Sequence, residues 1–140
     1  MYNRLGVKAL PSRHEDWLKQ ARRDLDHARH ALRDGDYEWA CFAAQQGAEK
    51  AAEALFQSLG AEAWGHSVSA LLAGLPAEIG VGEEMLENAK ELDKHYIPPR
   101  YPNSHPQGAP LEYYTRKEAE RAIDHGETVV SFCEDKISRP

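Results

Sequence analysis

The side chains best suited to chemistry in this 140-residue chain are crowded into one stretch, HYIPPRYPNSHPQG at residues 95–108. Arg100 brings a guanidinium fork that suits an anion, and His105 brings an imidazole that exchanges protons near neutral pH. Tyr101 offers a ring on which a base can stack, and Asn103 an amide that can hydrogen-bond. Five of the eight prolines lie between residues 98 and 110. Each lacks a backbone donor and pushes its predecessor out of the α region, so the segment must be a loop. Binding residues gather on loops held by a rigid scaffold. The plainer alternative is a connector that stops one helix and packs its rings on the next.

Distance is the first constraint on joint chemistry. Five steps of polyproline-like chain would carry Arg100 and His105 ~15 Å apart, against ~7.5 Å in a helix. A turn at Asn103-Ser104 would close the gap, since both residues favour turns through side-chain to backbone bonds. Completion of the site by a second subunit would also solve it.

The elements that must hold this loop are helical. Ser12 and Glu15 have capping-box spacing, so a helix is expected from about residue 13, with Trp17, Leu18, Ala21, Leu25, Ala28 and Leu32 on one stripe and Gly35 as its stop. After a short DGD link, with Asp36 as N-cap, Tyr37, Cys41, Ala44, Ala48, Ala51, Leu55 and Leu59 recur at helical spacing, ending at Gly60. So short a link makes the pair an antiparallel hairpin. A brief helix is expected from Ser67 to Leu75, and another over GEEMLENAKELDKHY, with Met85, Leu86, Ala89, Leu92 and Tyr96 on one face. Thr115 and Glu118 open the last helix with a second capping box, and its stripe is Ala119, Ala122, Ile123, Gly126, Val129, Val130, Cys133 and Ile137. No alternating β-branched run appears, so the expected class is all-α: an up-down bundle of four to five helices with a proline-rich loop before the last. One domain is expected over 1–140, with its core at about 13–137.

Composition narrows the functional classes. The net charge of -6 gives no global field that draws in nucleic acid, so any RNA contact must be local. Cys41 and Cys133, far apart within apolar patterns, read as packed thiols of a reducing compartment. The N-terminus lacks an apolar leader and no run approaches the ~20 apolar residues of a membrane span, so a cytoplasmic, membrane-free protein is expected. His27 and His30 share a helix spacing that can bind metal, yet both point away from the apolar stripe; no metal and no cofactor are expected. His66, before the short third helix, reads as a cap or packing residue. Gln45 and Glu49 lie at the edge of the central stripe and can reach inward.

Four segments in order carry a resemblance: WLKQARRDLDHARHALRDGDYEWACFAAQQGAEKAAEALFQSLG, GHSVSALLAGL, LDKHYIPPRYPNSH and YYTRKEAERAIDHGETVVSFCEDKI. Together they resemble the HEPN (higher eukaryotes and prokaryotes nucleotide-binding) family over about residues 13–137. The resemblance implies a helical bundle, usually dimeric. Many such proteins are metal-independent endoribonucleases or toxins that use an Arg and a His four to six residues apart, which fall here at Arg100 and His105. Arg100 would then hold a scissile phosphate, His105 would move a proton at the ribose 2′-OH or the 5′-oxygen, and Glu49, on a helix that can flank the loop, would orient Arg100. Other members are non-catalytic nucleotide-binding or interaction modules, often beside a minimal nucleotidyltransferase. Tyr101 stands where the nuclease subset commonly has a polar residue, and Gln107 where some toxins carry a modified tyrosine. Both classes remain open at this point, with a homodimer expected and RNA, a nucleotide or a nucleotidyltransferase as the candidate partners.

Overall fold

A computed structural model describes residues 12–138 of the chain. The N-terminal stretch read above for a leader, residues 1–11, lies outside the described residues. The main helices are α1 (His14–Asp34), α2 (Tyr37–Ser58), α3 (Val68–Ala73), α4 (Glu83–Asp93) and α5 (Arg116–Ser138), joined by short 3₁₀ turns at Ala77–Ile79, Pro102–Ser104 and Pro110–Glu112. No strand occurs among the described residues. The all-helical bundle is therefore as the sequence predicts.

Alanine sets the geometry of the core. On α2, Ala40, Ala44, Ala48, Ala51, Ala52 and Ala54 are fully buried, and the helix packs against both α1 and α5. Such short side chains let neighbouring backbones approach closely, so larger groups from the flanking helices fill the space between. Leu25 of α1 is the hinge of that packing. A Cβ at Gly47 would lie 3.3 Å from Leu25 Cγ and 3.0 Å from the carbonyl oxygen of Ala21, and one at Gly126 only 2.9 Å from Leu25 Cδ2. Three helices meet at one side chain, and two of them do so through glycine. Cys41 and Cys133 lie in the same core, where burial pushes each thiol up to about 12.

Surface charge ties α1 to its neighbours. Arg22 pairs with Glu127 at 2.6 Å and with Glu134, and Arg29 pairs with Glu127 at 2.7 Å, all across α1 and α5. Lys50 of α2 reaches Asp24 of α1 at 2.5 Å.

Several local expectations are corrected. The first capping box does not form: α1 starts at His14 without a side-chain cap, because the Ser12 hydroxyl is engaged locally with His14 and with the carbonyl oxygen of Gln57. Thr115 does cap α5, accepting from the Glu118 N–H at 3.1 Å, but the Glu118 carboxylate makes no return bond among the described residues. Leu59 lies past the end of α2 and is 46% exposed, so it is not part of the apolar stripe.

The fourth helix also ends earlier than its periodicity suggests. It stops at Asp93, and i to i+3 turns carry the chain through His95 and Tyr96. The physical reason is the Pro98-Pro99 pair, which denies the upstream residues a continued α ladder. This early exit buries His95 and lays Tyr96 beneath the loop. Asp93, the last residue of α4, accepts from the N–H of Val68 at 2.6 Å and of Ser69 at 3.3 Å and from the hydroxyl of Ser67 at 3.0 Å. This carboxylate takes two N–H groups of the first turn of α3 and the Ser67 hydroxyl takes the third, from Ala70 at 3.1 Å, anchoring a helix of six residues that could not persist alone.

Candidate functional site

The proline-rich loop folds back on itself. The 3₁₀ turn at Pro102–Ser104 follows extended Tyr101 and precedes extended His105, with the His105 N–H bonded to the Pro102 carbonyl at 3.0 Å. The turn expected near Asn103-Ser104 is therefore present. It returns the His105 ring to the carbonyl oxygen of Pro98, seven residues earlier, at 2.9 Å. A carbonyl oxygen can only accept, so His105 Nε2 carries the proton and, in the neutral ring, Nδ1 carries the lone pair. The ring stacks on Tyr113, with centroids 4.3 Å apart, and meets Tyr114 edge-on at 6.4 Å.

The second half of the loop is pinned as firmly. The Tyr113 hydroxyl donates to the Gln107 carbonyl, and the Glu112 carboxylate accepts from the Ala109 N–H at 2.8 Å. Gly108 sits between them at φ 78°, and a Cβ there would lie 2.5 Å from Glu112 Oε2. The left-handed backbone favours glycine, and a side chain there would push the Glu112 carboxylate from its place at the Ala109 N–H.

Arg100 is held by aromatic rings rather than by acid. Its Nε donates to the Tyr96 carbonyl at 2.8 Å, and its guanidinium carbon lies 4.5 Å from the Phe42 ring centre, 4.7 Å from Tyr96 and 5.2 Å from Tyr101. Cation–π attraction fixes the plane of the fork without spending its charge on a carboxylate. Among the described residues no ion pair reaches Arg100, and its terminal nitrogens have no protein partner. A cation prepared in this way is suited to an incoming anion.

Glu49 does not fill the orienting role expected for it. Its carboxylate meets His66 Nδ1 at 3.1 Å and accepts from the buried Gln45 amide at 3.3 Å; the same amide also donates to the His66 carbonyl at 3.0 Å. The side chain of α2 that reaches Arg100 is Phe42, nearly two turns earlier. Glu49 still touches the site through a stack, because His66 lies flat on Tyr96 with centroids 4.5 Å apart, and Tyr96 lies against the guanidinium. His66 is thus a packing and hydrogen-bonding residue, as its sequence position suggests. Gln45 does reach inward and is fully buried.

The loop's other candidates remain open to solvent. Tyr101 is 46% exposed beside Arg100, and Asn103 is exposed within the turn. His27 and His30 are both on the solvated face of α1. Of the rings that build the site, Tyr96 is expected from the sequence only as part of the fourth helix's apolar face, and Phe42 and Tyr113 carry no site reading there. The signal that could have singled them out is the position of Phe42 off the main apolar stripe and the clustering of tyrosines around the prolines.

Comparison with known proteins agrees with this architecture. Residues 14–136 match the HEPN domain family. The crystal structure of TT1696 from Thermus thermophilus superposes with a TM-score of 0.88 at 52% identity, covering 90% of this chain and 99% of that one. A HEPN domain protein from Thermotoga maritima superposes with a TM-score of 0.74 at 43% identity, covering 89% and 99%. Among curated proteins, "Putative toxin MJ1304" of Methanocaldococcus jannaschii is 27% identical over 128 residues, 85% of this chain and 84% of its own length.

Proposed function

The chain belongs to the HEPN domain family, and from that premise we propose that its Arg100–His105 loop binds an RNA phosphate and cleaves the strand without a metal ion. The observation that carries this reading is Arg100 itself: a guanidinium fixed by one carbonyl and three rings, with its terminal nitrogens unspent. The family match and the likeness to a protein named as a toxin support the same class.

In this reading the Arg100 fork holds the scissile phosphate and stabilises charge as it grows on the non-bridging oxygens. His105 Nδ1 takes the proton of the 2′-OH, the 2′-oxygen bonds to phosphorus, and the bond to the 5′-oxygen breaks. The departing oxygen takes a proton, and the upstream strand ends in a 2′,3′-cyclic phosphate. Base and acid act on opposite sides of the phosphorus, so a two-fold dimer that brings two such loops together would supply both from copies of one residue. The exposed apolar side chains Trp39, Ile97 and Leu111 around the loop are surface that such a dimer would cover.

The test incubates the purified wild type with mixed single-stranded RNA in excess EDTA and analyses the end groups. Cyclic phosphate termini that vanish in Arg100→Ala support the proposal. Loss of activity to EDTA with restoration by a divalent ion overturns the mechanism. Binding that depends on Arg100 without any cleavage leaves the non-catalytic module, working with a nucleotidyltransferase, as the function.

A further inference from the structure

A second concavity lies beyond the Tyr114 ring from His105. It occupies about 220 Å³ between the end of α4 and the start of α5, and its walls include Lys94, His95, Tyr114, Glu118 and Arg121. The two sites share a wall: Tyr114 lies 6.4 Å from the His105 ring and 5.7 Å from the His95 ring. A ligand in one is therefore next door to a ligand in the other.

Its polar groups are unevenly satisfied. His95 is only 8% exposed, and its Nδ1 is buried with no partner. Burial pushes the ring down to about 4, so it is neutral at physiological pH. A buried nitrogen without a hydrogen-bond partner costs free energy in the folded protein. Across the cleft, Glu91 is already occupied by His125 at 2.6 Å and by Arg121 at 3.4 Å. Lys94 and Glu118, by contrast, have no ion-pair partner among the described residues. The Glu118 carboxylate is free because it does not close the capping box that its spacing offers.

A cleft with one free ammonium, one free carboxylate, a neutral imidazole and a phenol ring does not suit a simple anion, which Glu118 would repel. It suits a flat group whose edge presents an acceptor beside donors. Guanine has this edge, with O6 as the acceptor and N1–H and the N2 amino group as adjacent donors that a carboxylate can take as a fork. Adenine, cytosine and uracil lack the paired donors. We infer that this cleft is a guanine pocket, with Glu118 reading N1–H and N2, Lys94 reaching O6, and the rings of His95 and Tyr114 forming its aromatic wall. The inference rests on the reading of the Arg100–His105 loop as an RNA phosphate site, and it gives that site a base preference.

Two measurements separate the pocket from the phosphate site. In the first, guanosine and adenosine, which carry no phosphate, are titrated into the purified protein while the ring resonances of His95 and Tyr114 are followed by NMR. Guanosine is expected to shift them and adenosine is not, and Glu118→Gln is expected to abolish the guanosine response with the rest of the spectrum unchanged. In the second, uridine-rich oligonucleotides with a single G or a single A are compared for affinity. The wild type is expected to favour G by about tenfold or more, because a site built to hydrogen-bond rejects an analogue that leaves its groups unpaired. Glu118→Gln should erase that preference, whereas Arg100→Ala should weaken both oligonucleotides alike. An unresponsive His95, or a guanine preference that survives Glu118→Gln, overturns the pocket. A guanosine response in a protein whose RNA binding ignores Arg100 would instead overturn the phosphate site and leave the pocket standing.

Discussion

His105 Nε2 donates to the carbonyl oxygen of Pro98, 2.9 Å away. That bond selects one tautomer and leaves Nδ1 as the basic nitrogen. On the proposed mechanism, His105→Ala removes the proton route and leaves Arg100 in place. Cleavage of single-stranded RNA is expected to fall by roughly 10²- to 10⁴-fold, with affinity nearly unchanged. Single-turnover rates beside a binding titration decide it, and equal cleavage by wild type and variant would remove His105 from the chemistry.

The aromatic cradle makes a separate prediction. Phe42 has the guanidinium of Arg100 closest to its ring centre, at 4.5 Å, while Tyr96 and Tyr101 also contact it. Phe42→Leu keeps an apolar contact but loses the ring's charge attraction, worth about 0.5–2 kcal/mol. RNA affinity should weaken by about two- to thirty-fold, with unchanged far-UV circular dichroism. An unaltered affinity would mean that the rings only pack.

His95 sets a pH dependence of stability. Its folded pKa of about 4 lies below the ordinary 6.5, so the unfolded chain binds the proton more readily. The stabilisation is whole above about pH 6.5, declines as the pH falls below that, and is gone below about 4. Between pH 7 and pH 5 this one group should remove about 2 kcal/mol of unfolding free energy. Denaturant melts of wild type and His95→Gln at both pH values measure the slope, which should flatten in the variant whatever its absolute stability.

Gly126→Ala tests the packing at Leu25. A new Cβ would sit 2.9 Å from Leu25 Cδ2 and 3.2 Å from the Ala44 carbonyl oxygen. Overpacking of this kind costs about 1–3 kcal/mol, against a gain of about 1 kcal/mol in helix propensity. Net destabilisation of about 1 kcal/mol is expected, seen as a fall in Tm of a few degrees. A rise in Tm would show that Leu25 has room to move.

What the sequence made visible depended on how local the determining contact was. The helices of Leu25, Ala48 and Val130 follow from spacing alone, because burial of one stripe repeats every turn. Arg100 and His105 stood out because prolines leave a helical chain few reasons to place such side chains there. Their geometry was partly visible too, since Asn103-Ser104 does turn. The contacts missed were those set by three-dimensional neighbours. Glu49 has one competing partner in Gln45, a turn earlier on α2, and another in His66, seventeen residues on, which no spacing rule reveals, and Phe42 reached Arg100 because α2 passes beneath the loop. Asp93 reads as one more acid in an acidic helix, yet it holds the start of α3. The Ser12–Glu15 pair has the right spacing for a cap and lacks it, because Ser12 found Gln57 across the bundle.

The Asp93 clamp also divides the molecule by how readily its parts come loose. α1, α2 and α5 enclose Leu25 and the alanine seam, whereas α3 is a single short segment whose first turn is held by a carboxylate of α4 and by its own Ser67 hydroxyl. Local openings begin where buried contacts are fewest. Amide hydrogen exchange should therefore find two tiers, with α3 and the end of α4 exchanging well before the interior of α2. Tyr96 and the anchor of Arg100 leave α4 just past Asp93, so the Arg100 fork belongs to the faster tier. It can be displaced and restored while the three long helices stay folded.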